Sequence, residues 1–539
     1  MTDSRSRTNI YRVALAVIIM LQLFAAFYFC TRKTGFHYDE YYSYYSSNVT
    51  AGLVPTDNAW MDTEEIANEF KVLPGEGFNY GMVKLMQTYD VHPPFYYYIL
   101  HTVCSLTPGV FSKWQGLAVN LLFYVLCSIM MILICRELKM SLTAVVAALL
   151  LFGFSPAILS GVMFIRMYVL LTFLCMLTLY VHLRLMREQK KYYWPILFVL
   201  SFLGSQTHYY YIVFLFFTAA YMTLYIWMRA GGFKKALLYA ASIVIGLIAS
   251  VAYYPSMLSH IFRGYRGTEA TSAFFDMGNL KDRAGLFIGM LDDYLLPGMF
   301  YLLILYALVM YITYRYAGKR SSERNHQVAF IATVTTGYFL VVLKTALMNA
   351  EEAVRYEMPV YGLIILLIVY TLMKLIFFGA EAESGSEEEH IEYPSKGYGS
   401  YRFKTILFCA LLCIALLLQI RGLFTGKVLF LYEDDAKSYE WAAEHKDDTI
   451  VYIYNPDNQW MVWDDAEELM QYKRVFFISA DNTDEITDTD VTNSSDIYVY
   501  ATRADGAKDI LDKLSVSGER KGGEELIREL KFVDLYKIN

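Results

Sequence analysis

WQGLAVNLLFYVLCSIMMILIC (114–135) is an unbroken run of 22 residues without a charged side chain, and SLTAVVAALLLFGFSPAILSG (141–161) and MYVLLTFLCMLTLYVHLRLMR (167–187) follow it closely. A helix of about 20 apolar residues matches the hydrocarbon thickness of a bilayer. Outward from this block, further runs lie near 10–30, 193–207, 208–229, 234–257, 297–315, 326–348, 357–379 and 404–422. The sequence therefore predicts a polytopic α-helical membrane protein of about eleven transmembrane helices. Composition agrees: of 539 residues, 56% are hydrophobic and only 18% charged. Soluble domains sit near 45–50% apolar and about 25% charged. The formal net charge of -7 argues against a nucleic-acid partner, which calls for a basic face. Residues 10–30 lack a small-residue cleavage site and read as a retained first span rather than a signal peptide.

Orientation follows from the basic residues at the span ends. Arg5, Arg7 and Arg12, Arg136 with Lys139, Arg184, Arg187, Lys190 and Lys191, Arg229, Lys234 and Lys235, and Arg315, Lys319, Arg320 and Arg324 all fall on one side. That side is expected to be cytoplasmic, together with the acidic but also basic loop 380–403, which carries ESGSEEE, Lys396, Arg402 and Lys404. The N-terminus is then cytoplasmic. The other side receives a long first loop, 31–113, short turns near 162–166, 207–211 and 349–356, the loop 258–296 and everything after 422. FYYYILHTVCSL (95–106) is apolar but too short to span, and its tyrosines suit a helix in the outer interface.

The expected organisation is a transmembrane domain over 1–422, with juxtamembrane helices in its first external loop, and an extracytoplasmic α/β domain over 423–539. In that tail TIVYIYN, RVFFISA and DIYVYAT read as strands, and EELMQY, AKDILDKL and GGEELIREL have helical spacing. The tail has no phosphate-binding glycine loop and no internal repeat is visible. Seven cysteines, nearly all in apolar runs and without metal-type spacing, read as small core hydrophobes rather than a disulfide framework.

Polar residues that are costly near hydrocarbon collect at the external ends of the spans. HYDEYY (37–42) brings Asp39 and Glu40 to the bilayer surface, where a carboxylate serves as a general base or a cation ligand; an ordinary polar loop start is the competing reading. DVHPPFYYY (90–98) uses two prolines to aim Asp90 and His92. FIRMYVL places Arg166 at a tight turn between apolar runs, where a guanidinium meets a phosphate in forked geometry or snorkels to headgroups. SQTHYYY (205–211) offers His208, although a lone histidine in apolar surroundings is more often structural. LKTALMNAEEAVRYEMP adds Lys344 and Arg355, with Pro359 in the first turn of the next span. Two carboxylates, several cations and many tyrosines on one membrane face fit a phosphate-linked sugar on a lipid carrier.

At these motifs the chain resembles the GT-C superfamily of membrane glycosyltransferases, on the bacterial branch related to protein O-mannosyltransferases and lipid A aminoarabinose transferases. The resemblance rests on Asp39-Glu40 with Tyr42, His92-Pro93-Pro94 with Tyr96 and Tyr97, Arg166-Met167-Tyr168, Thr207-His208-Tyr209, and Arg355-Tyr356 with Pro359. It covers roughly residues 8–380. It implies an inverting transfer from a polyprenyl-phosphate-linked sugar to an acceptor hydroxyl on the outer face of the membrane. Asp39 is then the general base, and Glu40 orients the acceptor or a cation. Arg166 and Arg355 steady the departing phosphate. His92, Tyr168, His208, Tyr209, Lys344 and Tyr356 join the donor phosphate and sugar contacts, and Asp90 and Tyr42 the acceptor contacts. Some relatives carry lysine before the Pro-Pro pair, where this chain has His92. The resemblance makes no cofactor certain and leaves a divalent cation on Asp39 and Glu40 open. The implied partners are the lipid-linked donor, membrane lipids and a glycan, protein or lipid acceptor. Two other readings remain: a transporter or flippase of a lipid-linked glycan, and a sensor whose tail binds a ligand. Transporters place polar residues at the midplane and often have repeated halves; eleven spans exceed what an anchor needs.

Overall fold

Each of the eleven apolar runs lies on a helix or a helix pair in the computed structural model of the chain, which describes residues 2–48, 55–316, 323–376, 398–482, 486–516, 520 and 523–539. The acidic stretch 381–392 and the basic residues Lys319, Arg320 and Lys396 lie outside the described residues. Among the described residues seven helices are long and apolar enough to cross a membrane, and nine spans result if two bent helix pairs each count as one. Two shorter apolar helices, Tyr193–Ser205 and Met358–Lys374, bring the total to the expected eleven runs. At 13 residues and 1.5 Å per residue, Tyr193–Ser205 reaches about 20 Å, short of a hydrocarbon core of about 30 Å. The chain is a multi-pass membrane protein.

By internal contacts the chain divides into two units. One holds Met1–Cys30, Val91–Tyr96 and Leu117–Leu429; the other holds Thr31–Asp90, Tyr97–Gly116 and Phe430–Asn539.

In the first unit, the helix Leu142–Gly153 breaks at Phe154-Ser155 and resumes as Pro156–Met163 at 49°. Pro156 has no N–H to continue the ladder. Hydrocarbon offers no water to unpaired carbonyls, so side chains must supply donors. Gln22 Nε2 donates to the Leu149 carbonyl (2.6 Å), Gln419 Nε2 to that of Leu151 (2.9 Å) and the Tyr124 hydroxyl to that of Gly153 (2.6 Å). A second pair, Leu280–Leu295 and Phe300–Tyr306, bends by 101°. Its Leu295 carbonyl accepts from the same Gln419 amide (2.7 Å) and from Ser155 Oγ (3.2 Å). Gln419 thus staples two broken helices together. The first of them leads directly into the turn that carries Arg166.

The second unit is built on a mixed six-stranded sheet, β1 (Ala59–Asp62), β2 (Thr449–Tyr454), β3 (Arg474–Ser479), β4 (Ile497–Thr502), β5 (Glu524–Glu529) and β6 (Val533–Ile538), in the order β1-β3-β2-β4-β6-β5. The central strand β2 runs parallel to β3 and β4, and the outer pairings are antiparallel. One face buries Val451, Ile453, Phe476, Ile478 and Val499 against Ile510, Leu511 and Leu514 of the helix Ala507–Ser515. The loop 31–113 and the tail, separate on the page, share this unit, because β1 from the loop pairs with β3 from the tail. TIVYIYN, RVFFISA and DIYVYAT are strands as expected. GGEELIREL is not a helix: Glu524–Glu529 is the edge strand β5, paired with β6 across an irregularity at Leu526 and Arg528. Its spacing satisfies both periods, and the partner strand β6 decides. FYYYILHTVCSL forms an 11-residue helix, Phe95–Ser105.

Candidate functional site

In the first unit, residues from four separate motifs converge. Arg166 lies in the short link between Pro156–Met163 and Tyr168–Glu188. The Asn120 amide donates to the carbonyls of Val162 (3.0 Å) and Phe164 (2.7 Å) and so fixes the end of the preceding helix. The Arg166 N–H turns back to the Phe164 carbonyl (2.8 Å). The guanidinium that results is only 3% exposed, with Nη2 3.5 Å from His92 Nδ1. His92 is held beside it because the chain after Pro93-Pro94 is tied down: the Phe95 N–H donates to the Gln206 carbonyl (2.9 Å). That bond brings the His92 ring to 5.8 Å from the His208 ring. His208 Nδ1 accepts from the Tyr210 N–H (3.1 Å), which leaves the proton of the neutral ring on Nε2 as a donor. Its ring stacks on Tyr210 (5.1 Å) and lies 5.5 Å from Tyr168.

Arg355 enters from the link before Met358–Ile376 and is 2% exposed. Its guanidinium carbon sits 4.8 Å from the Phe164 ring centroid, 5.1 Å from Tyr356 and 5.8 Å from Tyr168, a cage of three aromatic faces that favours a cation. Nη2 donates to Glu352 Oε2 and to the Tyr356 hydroxyl, both at 3.2 Å. Tyr356 meets Tyr168 (5.5 Å) and Tyr210 (5.7 Å) edge to face, and its carbonyl accepts from the Tyr338 hydroxyl (2.8 Å). Tyr168 therefore touches the surroundings of both His208 and Arg355. Two buried guanidinium groups, two imidazoles and a wall of phenols make a grouping whose chemistry suits an anion.

Two expected donor contacts are engaged elsewhere. The Tyr209 hydroxyl pairs with His260 Nδ1 (2.9 Å), and Lys344 Nζ donates to the Asp276 carbonyl. Reading the sequence did not single out Glu352, Phe164 or Tyr210. Glu352 passes for a turn acid in NAEEAVRY; its only sequence signal is the three-residue spacing to Arg355 at a helix end. Glu357 was also overlooked. It is fully buried, and neither carboxyl oxygen has a hydrogen-bond partner among the described residues.

In the second unit, HYDEYY opens the helix Tyr38–Asn48. Tyr38, Asp39, Tyr42 and Tyr45 are half-buried, whereas Glu40, Tyr41, Ser43 and Tyr44 are buried. Asp39 and Tyr42 thus share the more open face. Asp39 Oδ2 is 3.8 Å from His37 Nδ1, which already accepts the Asp39 N–H (3.1 Å). Glu40 departs from the expectation of a second ligand-facing carboxylate. Neighbours on a helix project about 100° apart, so the two acids cannot face one ligand together. Glu40 is wholly buried, with Oε2 bonded to Lys33 Nζ (2.9 Å) and to the His37 N–H (2.7 Å). Lys33 Nζ also donates to the Phe430 carbonyl (2.7 Å). Among the described residues no group of three or more side chains is gathered to hold a metal ion. Asp90 Oδ2 accepts from the Tyr97 hydroxyl (3.4 Å).

The buried side of this helix meets an acidic stretch of the tail through Tyr41. The Tyr41 hydroxyl accepts from the Glu467 N–H (3.1 Å). Burial, partly offset by Lys113 and Lys33, pushes the Glu467 carboxyl up to about 7. Burial likewise raises Asp435 to about 6. Both acids hold their protons more tightly folded than unfolded. Their contribution to stability is fully present below the ordinary carboxylate range and fades as pH rises through 6 to 7. Thermal unfolding of this unit is therefore expected to shift upward between pH 8 and pH 5.5. Glu467→Gln should remove about 2 kcal/mol of that pH dependence. Melting curves of both proteins across this range check it; identical pH slopes would show that Glu467 is not the group responsible.

Residues 91–254, which contain His92, Arg166, Tyr168 and His208, match the family described as dolichyl-phosphate-mannose-protein mannosyltransferase. Comparison with curated proteins gave no match. Among solved structures, ArnT from Cupriavidus metallidurans bound to undecaprenyl phosphate is similar with a TM-score of 0.51 at 11% identity, over 97% of this chain and 98% of that one. The same protein in the apo state gives 0.50 at 11% identity, over 100% and 98%. At this identity the likeness is one of fold.

Proposed function

We propose, from the premise that this chain is a membrane glycosyltransferase of the GT-C superfamily, that it moves a sugar from a polyprenyl-phosphate-linked donor to an acceptor hydroxyl with inversion. The observation that carries the reading is the gathering of Arg166, Arg355, His92 and His208 inside an aromatic wall, in a chain whose residues 91–254 match the family described as dolichyl-phosphate-mannose-protein mannosyltransferase. In this reaction Asp39 takes the proton of the acceptor hydroxyl. The oxygen attacks the anomeric carbon, the bond from that carbon to the phosphate oxygen breaks, and polyprenyl phosphate leaves with the electron pair. Negative charge grows on the phosphate as the bond breaks, and Arg166 and Arg355 are the groups suited to stabilise it. His208, with its proton on Nε2, supplies a donor beside them, and His92 lies next to Arg166. Tyr168 and Tyr356 brace Arg355 and offer faces to the sugar. Tyr42, on the Asp39 face, and Asp90 contact the acceptor.

The donor arrives in the membrane already activated and its leaving group stays there, so the reaction needs no nucleotide-sugar domain. The reaction centre belongs to the outer face, with the N-terminus cytoplasmic and the tail outside. The acceptor is a glycan, a lipid or a protein hydroxyl. The full chain in nanodiscs, given polyprenyl-phosphate sugars with a labelled glycosyl group and cell-envelope extract as acceptor, is expected to form a labelled glycoside and release polyprenyl phosphate in equal amount. Label that crosses the bilayer without a glycoside would overturn the reading in favour of a flippase.

A further inference from the structure

We propose that Glu352 is a built-in competitor for the phosphate at Arg355, holding the guanidinium when the site is empty and helping to expel the charged product. The inference rests on the reading that Arg355 binds the phosphate of the lipid carrier.

The two partners of this ion pair differ in freedom. Arg355 is 2% exposed and caged by Phe164, Tyr168 and Tyr356, so its guanidinium is fixed. Glu352 is 20% exposed and sits in the four-residue helix Ala350–Ala353, whose start is capped by the Asn349 side chain. A carboxylate at the rim of the site can swing toward water; a cation inside a three-ring cage cannot follow it. The ion pair uses Nη2, which is also bonded to the Tyr356 hydroxyl. A phosphate oxygen on that nitrogen would stand against a like charge, so phosphate and Glu352 exclude each other.

The exclusion has a direction in the catalytic cycle. A phosphodiester donor carries one negative charge. The phosphate monoester that leaves carries between one and two near neutral pH, since its second proton dissociates near pH 6. Two guanidinium groups therefore hold the product more strongly than the donor, which slows release. A tethered anion three residues from Arg355 is always present at high local concentration. It re-pairs with the guanidinium whenever the phosphate loosens.

The probe is undecaprenyl phosphate, bound to the full chain in nanodiscs, with wild type, Glu352→Gln, Arg355→Ala and the double variant compared. Glu352→Gln is expected to tighten Kd about fivefold, the worth of a partly exposed ion pair. A residue with a merely structural role would weaken binding when altered, so the sign of the change is diagnostic. The gain should vanish in the Arg355→Ala background. Unchanged or weaker binding by Glu352→Gln overturns the competitor role while leaving the phosphate assignment in place, provided Arg355→Ala weakens binding. A gain that persists without Arg355 also overturns it. Wild-type affinity in Arg355→Ala would instead sink the phosphate assignment itself. Nanodiscs with and without phosphatidylglycerol separate the carrier phosphate from ordinary lipid headgroups: competition by phosphatidylglycerol in wild type that matches undecaprenyl phosphate would overturn the proposal as one about the product.

Discussion

Asp39→Asn is expected to lower sugar transfer by about 10³-fold or more while leaving the melting temperature and the affinity for undecaprenyl phosphate near wild type, the range that loss of a positioned general base gives. The argument lies in how the two adjacent acids are treated. Glu40 is spent inside the protein on Lys33 and the His37 N–H. Asp39 keeps a side chain that is 20% exposed, on the half-buried face of Tyr38–Asn48. His37 Nδ1, 3.8 Å from the carboxyl, accepts the Asp39 N–H and so helps to hold the start of the helix that presents it. Asparagine preserves the shape and the helix start but cannot take a proton. Asp39→Glu should also be poor, because one added methylene moves the base by more than an ångström, and errors of that size cost about 10²-fold. Labelled glycoside formed per minute by each variant, beside its melting curve, checks the claim. Asp39→Asn turning over at the wild-type rate would remove Asp39 from the chemistry.

Much of this site was legible because hydrocarbon is intolerant. A guanidinium or imidazole at the end of a 20-residue apolar run stands out, so Arg166, His208 and Arg355 could be named without coordinates, and they do come together with His92, Tyr168 and Tyr356. The number of apolar runs was legible for the same reason. What escaped depends on direction or on a distant partner. Asp39 and Glu40 look alike as letters, and only the start of a helix at Tyr38 sends them to different faces. Lys33 stands in the sequence as one more basic residue after a span, although its partners include Glu40 and the carbonyl of Phe430, nearly 400 residues away. Glu352 was hidden because its meaning is relational: an acid in a turn becomes informative only once Arg355 is seen to be caged. The strands β1 and β5 were missed because four residues in a loop, and a run that satisfies both periods, gain their identity from a neighbour in the sheet.

The ion pair beneath Asp39 yields the second large effect. Lys33→Met is expected to destabilise the second unit by about 3–5 kcal/mol, the usual cost of stranding one member of a buried pair. Lys33 and Glu40 both have side chains with no exposed surface, so neither charge has water to fall back on. Removing the lysine leaves Glu40 to be protonated or to drag solvent inward, and it takes the donor from the Phe430 carbonyl. Phe430 and Tyr432 both hold positive φ (65° and 53°), an arrangement that costs a bulky residue and needs support from its surroundings. The segment is otherwise tied by the Thr34 N–H to the Leu431 carbonyl (2.8 Å) and by Arg32 to Glu433. The Lys33 bond is the buried member of that set. Lys33→Met combined with Glu40→Gln should recover much of the loss, since a buried pair replaced by neutral groups of similar volume is often tolerated. Activity separates the two roles of the pair. If Lys33 and Glu40 only support the fold, the double variant regains both stability and turnover. If they also set the direction of Asp39, stability returns while kcat stays low and its pH profile shifts. Unfolding curves and initial rates for the four members of this cycle decide the matter, and a loss below about 1 kcal/mol for Lys33→Met would show that the pair is not buried as described.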